Sequence, residues 1–181
     1  MTRILRPLTG ALVALVLVVV CAPGRAEARR YYGGSVDGAP GNRTFGIGLM
    51  VLQPTALSME LKLSGSSGLD FAIGLNDFDN NDGAYFHFDY LVYLADLSRG
   101  GSVAVPFYLG VGLALWDYND RFDDNDNLNG GLRIPLGLCI SFRSAPVKFF
   151  AELAFRFQFI DEDDNDDNLD LTGGLGFRVY F

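Results

Sequence analysis

The chain has 181 residues, 49% of them hydrophobic, and a formal net charge of −8, which suits one domain of ordinary size. A chain this acidic, with no basic stripe, is excluded as a nucleic-acid binder. Its two cysteines fall one in the leader and one in the body, so no disulfide framework is available to hold the fold.

The leader comes first. MTRILRP carries Arg3 and Arg6, the apolar run LTGALVALVLVVVCA follows, and Ala26-Glu27-Ala28 supplies an A-x-A cleavage site. This pattern predicts a secretory signal over 1–28, cleaved on export, because the run is short of the ~20 residues a membrane-spanning helix needs. Cys21 invites a lipoprotein reading, but Val20 stands where a small residue is expected. Cleavage after Ala28 removes three arginines and one glutamate, taking the formal charge from −8 to −10. Cys139 is then alone, and no further apolar run approaches span length. The polar, glycine-bearing stretch 29–42 reads as a flexible periplasmic lead, and 43–181 as the folded domain.

From Thr44 onward one pattern returns eight times, with apolar residues on every second position. TFGIGLMVL aligns Phe45, Ile47, Leu49 and Val51. ALSMELKLS sets Leu57, Met59, Leu61 and Leu63 against Ser58, Glu60, Lys62 and Ser64. GLDFAIGLN opposes Leu69, Phe71, Ile73 and Leu75 to Asp70, Ala72, Gly74 and Asn76. AYFHFDYLVYLA opposes Phe86, Phe88, Tyr90, Val92 and Leu94 to Tyr85, His87, Asp89 and Tyr93. SVAVPFYLGVGLALW, GLRIPLGLCISFR, VKFFAELAFRFQF and NLDLTGGLGFRVYF continue in the same way, the last ending on Phe181. Helix is a poor competitor, because glycine, β-branched and aromatic residues dominate these runs. Pro106 and Pro135 fall on the mixed face, where bulges would accommodate them.

The faces indicate which way the sheet is turned. One face is almost wholly Leu, Ile, Val and Phe. The other mixes Gly, Ala, Ser and Tyr with sparse charges of both signs, whereas a water-facing surface would carry Lys and Glu along every strand. Small residues and balanced ions suit a packed, narrow lumen, with the apolar face turned to lipid. A run such as Val103 to Leu115 meets the ~9–11 residues of a tilted membrane strand. Backbone groups in hydrocarbon must all be paired, so the last strand is expected to close on the first. The fold predicted is all-β, an eight-stranded antiparallel up-and-down transmembrane β-barrel. Its connections run QPTA, SGSSG, NDFDNNDG, DLSRGGS, DYNDRFDDNDN, RSAP and DEDDNDDN. The long acidic ones are the third, fifth and seventh, all at one end, which is the habit of outer-membrane barrels with long outer loops and tight periplasmic turns.

On this pattern the chain resembles the small eight-stranded bacterial outer-membrane barrels, the class of the OmpA transmembrane domain and OmpX, over roughly Thr44 to Phe181. Phe177, Val179 and Phe181 resemble the C-terminal signal recognised by the outer-membrane assembly machinery. GIGLMVLQPTALS and GLRIPLGL are similar to segments of other bacterial outer-membrane barrels. The resemblance implies an integral protein of the Gram-negative cell envelope, a monomer whose partners are outer-membrane lipid, lipopolysaccharide and that machinery. It implies no activity.

Candidate sites are few. The polar face predicts a lumen network of Glu60, Lys62, Asp70, His87, Asp89, Arg133, Arg143, Glu152, Arg156 and Arg178. The acidic loops supply candidate metal ligands in Asp123, Asp124, Asp126, Asp163, Asp164 and Asp166, alongside Asp77, Asp79, Asn81, Asp82, Asp120, Asp161, Glu162 and Asp167. DFDNNDG has the spacing of an EF-hand start, but Asp82 stands where that loop needs glycine, and charge that merely solvates the loops explains them as well. His87, the one histidine, would serve a lipid A-modifying enzyme only with a serine partner. Ser98, Ser102, Ser141 and Ser144 fall toward the opposite end, so His87 joins the network. Cys139 reads as a small lumen residue. Tyr85, Tyr90, Tyr93, Trp116, Tyr118 and Phe122 are candidates for interfacial or rim packing. No catalytic set and no cofactor are predicted. The function expected is a structural or surface-interaction role for a barrel with a side-chain-filled lumen, not a general porin. The alternatives are a surface binder or adhesin using the acidic loops, a lipid A-modifying enzyme using His87, and a soluble periplasmic lipocalin-like carrier. The last requires the two faces to be exchanged.

Overall fold

The structure, a computed structural model, describes residues 43–78, 81–98, 102–118, 127–160 and 169–181. The predicted signal segment, the lead and most of the acidic connections lie outside them.

Every described element is a strand. They are β1 (Phe45–Leu52), β2 (Thr55–Ser64), β3 (Ser67–Phe78), β4 (Asn81–Asp96), β5 (Val103–Ala104 continuing as Pro106–Tyr118), β6 (Asn127–Phe142), β7 (Val147–Ile160) and β8 (Leu169–Tyr180). Each pairs antiparallel with its neighbour in sequence. The closing ladder joins β1 to β8, from Gly46↔Tyr180 to Leu52↔Gly174. Phe181 N donates to Phe45 O at 2.8 Å, so the final residue is hydrogen-bonded into the seam. The barrel is closed, and the sheet has no edge among the described residues.

The two prolines act as the alternation requires. Pro106 follows a break at Val105, whose N–H donates to the Asp96 carboxylate at 2.9 Å, while β4 bulges between Tyr93 and Ala95. Pro135 pairs with Ala154 of β7, and toward β5 the register passes from Leu109↔Leu136 to Gly112↔Arg133 without it. The missing proline N–H is thus placed where no ladder bond is asked of it.

One connection differs from expectation. NDFDNNDG is not a long loop: the β3–β4 ladder continues through Asn76↔Gly83 and Asp77↔Asp82 to Phe78↔Asn81, leaving Asp79 and Asn80 between the strands. Cross-strand pairing overrides the turn propensity of these residues. Two odd-numbered connections, 119–126 and 161–168, remain long in sequence, against the three expected.

Exposure inverts the pattern of a water-soluble barrel. Leu49, Ile73, Leu75, Leu113, Leu153, Leu171 and Leu175 are each at least half exposed, while Glu60, Asp70, His87, Asp89, Arg133, Lys148, Arg156 and Arg178 are buried inside. β1 turns Gly46, Gly48 and the fully buried Met50 to the interior. Its Gly46 and Gly48 let β8 approach, and a Cβ on Gly48 would lie 1.7 Å from the Phe177 carbonyl oxygen. Gly48→Ala is therefore expected to destabilise the seam by about 1–3 kcal/mol, read from chemical unfolding in lipid vesicles. Gly173→Ala, whose Cβ would meet the movable end of Leu153 at 3.1 Å, should cost clearly less.

Candidate functional site: the buried ion network

The polar interior is built from inward-pointing residues of β2 to β8, with Met50 of β1 packed among them, and its centre is Glu60 on β2. Tyr93 and Tyr180 donate hydroxyls to it at 2.5 and 2.6 Å. Lys148 Nζ on β7 reaches both of its oxygens at 3.1 Å, and also the Tyr93 hydroxyl at 3.0 Å. Arg178 on β8 spreads its fork over three partners: Nη1 to Glu60 at 2.8 Å, Nη2 to Asp70 at 2.6 Å and Nε to Ser58 at 2.8 Å. The fixed geometry of guanidinium suits this bridging, which a point-charge ammonium could not reproduce. The Arg178 guanidinium also lies 4.2 Å from the Phe150 ring centre.

A second cluster adjoins the first. Arg133 on β6 donates to Asp89 on β4 and Glu152 on β7, and Tyr108 on β5 donates to Glu152 at 2.7 Å. Toward the end bearing the 119–126 and 161–168 connections, Arg156 pairs with Asp170 and its guanidinium stacks 4.5 Å from the Trp116 ring centre. Ions removed from water must be paired with satisfied geometry, or they cost several kcal/mol each. Here each of the four buried carboxylates receives at least one charged donor.

Most of the residues named from the sequence therefore meet inside: Glu60, Asp70, His87, Asp89, Arg133, Glu152, Arg156 and Arg178 are all buried. Lys62 is half-buried, with its ammonium 4.6 Å from the Tyr180 ring centre. Arg143 is a correction. Its side chain is 44% exposed and sits 3.5 Å from Asp96, because β6 ends at Phe142 and Arg143 already belongs to the turn. The aromatic assignment also needs correcting: Tyr85, Tyr93 and Trp116 are lumen residues, 1–3% exposed, not rim anchors. Tyr90 alone of that group is described on the outer face, half-buried. The Tyr118 side chain and Phe122 lie outside the described residues. So do the metal candidates Asp123, Asp124, Asp126, Asp163, Asp164 and Asp166. Of the C-terminal triplet, Phe177 and Phe181 are exposed on the outer wall and Val179 is half-buried.

Sequence reasoning underweighted Lys148, Tyr93, Tyr108 and Tyr180, which carry much of the hydrogen bonding. Their parity placed them inward, and parity was the available signal. Cys139 is a buried free thiol on the same inner face.

No protein-family model matches the sequence, and no curated protein sequence matches it. Among solved structures, the chain is similar to the N-terminal β-barrel domain of Pseudomonas aeruginosa OprF, with a TM-score of 0.56 and 16% identity over 76% of this chain and 95% of that one. The fold is that of a small outer-membrane β-barrel. A match to Neisserial surface protein A, NspA, has a TM-score of 0.47 and 13% identity, covering 76% of this chain and 93% of that one. At such identities the likeness is one of fold.

Proposed function

We propose that this chain is an integral protein of the bacterial outer membrane, exported by a cleaved signal and acting in a structural or surface-interaction role. The observation that carries the reading is the inverted exposure of the barrel, with leucines and phenylalanines outward and paired ions within. In water that arrangement would strand a continuous apolar girdle far larger than the few-hundred-Å² patches soluble monomers tolerate. In a bilayer it satisfies both solvents at once. Its natural partners are membrane lipid and lipopolysaccharide, and Phe177 and Phe181, exposed on the outer wall, suit recognition by the assembly machinery.

The same interior argues against the other readings. A carrier of apolar ligands needs an apolar cavity, and this lumen is filled by Arg133, Arg178, Lys148 and their carboxylates. A general pore needs an open channel, which eight strands leave no room for. A hydrolase needs an accessible nucleophile–base pair, whereas His87 is fully buried and its hydrogen-bonding neighbour is a tyrosine. We assign no catalysis to it.

Cell fractionation tests the proposal. The protein is expected in the outer-membrane fraction, extractable by detergent, migrating faster on gels before boiling than after. Recovery as a soluble periplasmic species would overturn it.

A further inference from the structure

Two carboxylates stand directly opposite one another on the inner wall, Asp70 on β3 and Asp89 on β4. Like charges in that position repel. His87 lies two residues from Asp89 on the same face, fully buried. Its Nδ1 is 3.1 Å from the Tyr85 hydroxyl, and the two rings meet edge to face at 5.5 Å. That contact fixes the imidazole plane and turns Nε2 toward the carboxylates. Nε2 stops 3.7 Å from Asp70 Oδ2 and 3.8 Å from Asp89 Oδ2.

Those two distances are the unusual feature. An N–H on Nε2 would draw one carboxylate in to about 2.8 Å, yet among the described residues Nε2 has no hydrogen-bond partner, and neither has Asp89 Oδ1. If Nδ1 instead carries the proton and donates it to Tyr85, a bare lone pair on Nε2 faces two anions. With both carboxylates ionised, either arrangement leaves buried polar atoms unsatisfied, at roughly 1–3 kcal/mol each. A cation placed among the three groups removes the conflict. Two ligands each about 2.0–2.1 Å from a tetrahedral centre lie roughly 3.3–3.4 Å apart, so a few tenths of an ångström would close the gap from Nε2 to each carboxylate, while the two carboxylate oxygens, within 4.8 Å of one another, would have to close by up to about 1.4 Å.

We propose that Asp70, His87 and Asp89 form an internal binding site for one divalent ion of the zinc class. One ligand atom from each lies within 4.8 Å of the others. Imidazole with two carboxylates selects zinc-like ions over calcium or magnesium, which take oxygen ligands in larger numbers. The outer partners that such ligands need are in place: Tyr85 on His87, Arg178 on Asp70 and Arg133 on Asp89. The two guanidiniums beside the site are each shared with a second carboxylate, Arg178 with Glu60 and Arg133 with Glu152. The in-register neighbours are small: Ala72 and Ala114 flank His87, and Gly112, where a Cβ would come within 2.1 Å of Oδ1, leaves the Asp89 side chain its place. The site does not depend on which membrane or solvent surrounds the barrel.

The test uses the protein purified without a histidine tag, folded in detergent micelles and titrated with Zn²⁺ by calorimetry and with Co²⁺ by visible absorption. One ion per chain is expected, with ligand-field bands for Co²⁺. Because His87 is the only histidine, a single imidazole reports by ¹⁵N NMR, and its Nε2 signal should shift on Zn²⁺ addition. Tyr85→Phe leaves every ligand in place and should weaken binding about 10–100-fold. His87→Ala should abolish it while retaining the heat-modifiable band; should that variant not fold, the Tyr85→Phe titration and the NMR of the unaltered protein decide. Failure to bind one ion per chain overturns the proposal. So does binding that survives His87→Ala and disappears when Asp163, Asp164, Asp166 and Asp167 become Asn, which would put the ion in the loops.

Discussion

Replacing Glu60 with alanine is expected to lower the unfolding free energy by about 3–5 kcal/mol, the cost of leaving buried charges unpaired. Glu60 is the one acceptor shared by Lys148, Arg178, Tyr93 and Tyr180. Its loss strips Lys148 of its one carboxylate partner among the described residues and leaves two tyrosine hydroxyls without the acceptor they share. Arg178 suffers less, because Asp70 and Ser58 still receive its other donors. The double variant Glu60→Ala/Lys148→Met therefore should recover part of the loss, since it withdraws the worst-placed cation and substitutes a chain of similar length. Urea titrations of the two variants and the parent in lipid vesicles measure both effects. A loss below about 1 kcal/mol for Glu60→Ala would mean that the interior ions are solvated and that the network does not hold the barrel.

The second large effect lies on the outer wall. Leu113 is 53% exposed, near the middle of β5. On a water-facing surface Leu113→Arg would change stability by no more than about 0.5 kcal/mol. Facing acyl chains near the bilayer midplane, the same change is expected to cost about 2–4 kcal/mol. Leu97 provides the contrast. It is 58% exposed just beyond the end of β4, near the interface, where arginine should cost only about 0–1 kcal/mol. The difference between the two variants, measured in one lipid, gives the depth dependence that a soluble barrel lacks.

Much of this was legible because strand geometry has a period of two, so a residue's parity assigns its wall. Glu60, Asp70, His87, Asp89, Arg133, Glu152, Arg156 and Arg178 were placed inward on that rule alone. Chemical type misleads where it competes with parity. Tyr93 and Trp116 look like interfacial residues because they are amphipathic, yet both share parity with the lumen, where Tyr93 bonds Glu60 and Trp116 stacks on Arg156. Arg143 failed in the opposite sense: its parity is correct, but the strand stops one residue earlier. Asn76 to Gly83 were read as loop because their side chains favour turns, a local preference that a long hairpin ladder overcomes. Pairing across the lumen, such as Lys148 choosing Glu60, depends on barrel stagger and tilt, which no single strand encodes.

The central claim is that the apolar wall faces lipid. Nitroxide labels at Leu109, Leu113 and Leu153, placed one at a time in a Cys139→Ser background and reconstituted in vesicles, test it by power-saturation EPR. Each label should collide readily with oxygen, which concentrates among acyl chains, and hardly with a water-soluble nickel chelate. Ready access to the chelate and poor access to oxygen at these positions would contradict the account.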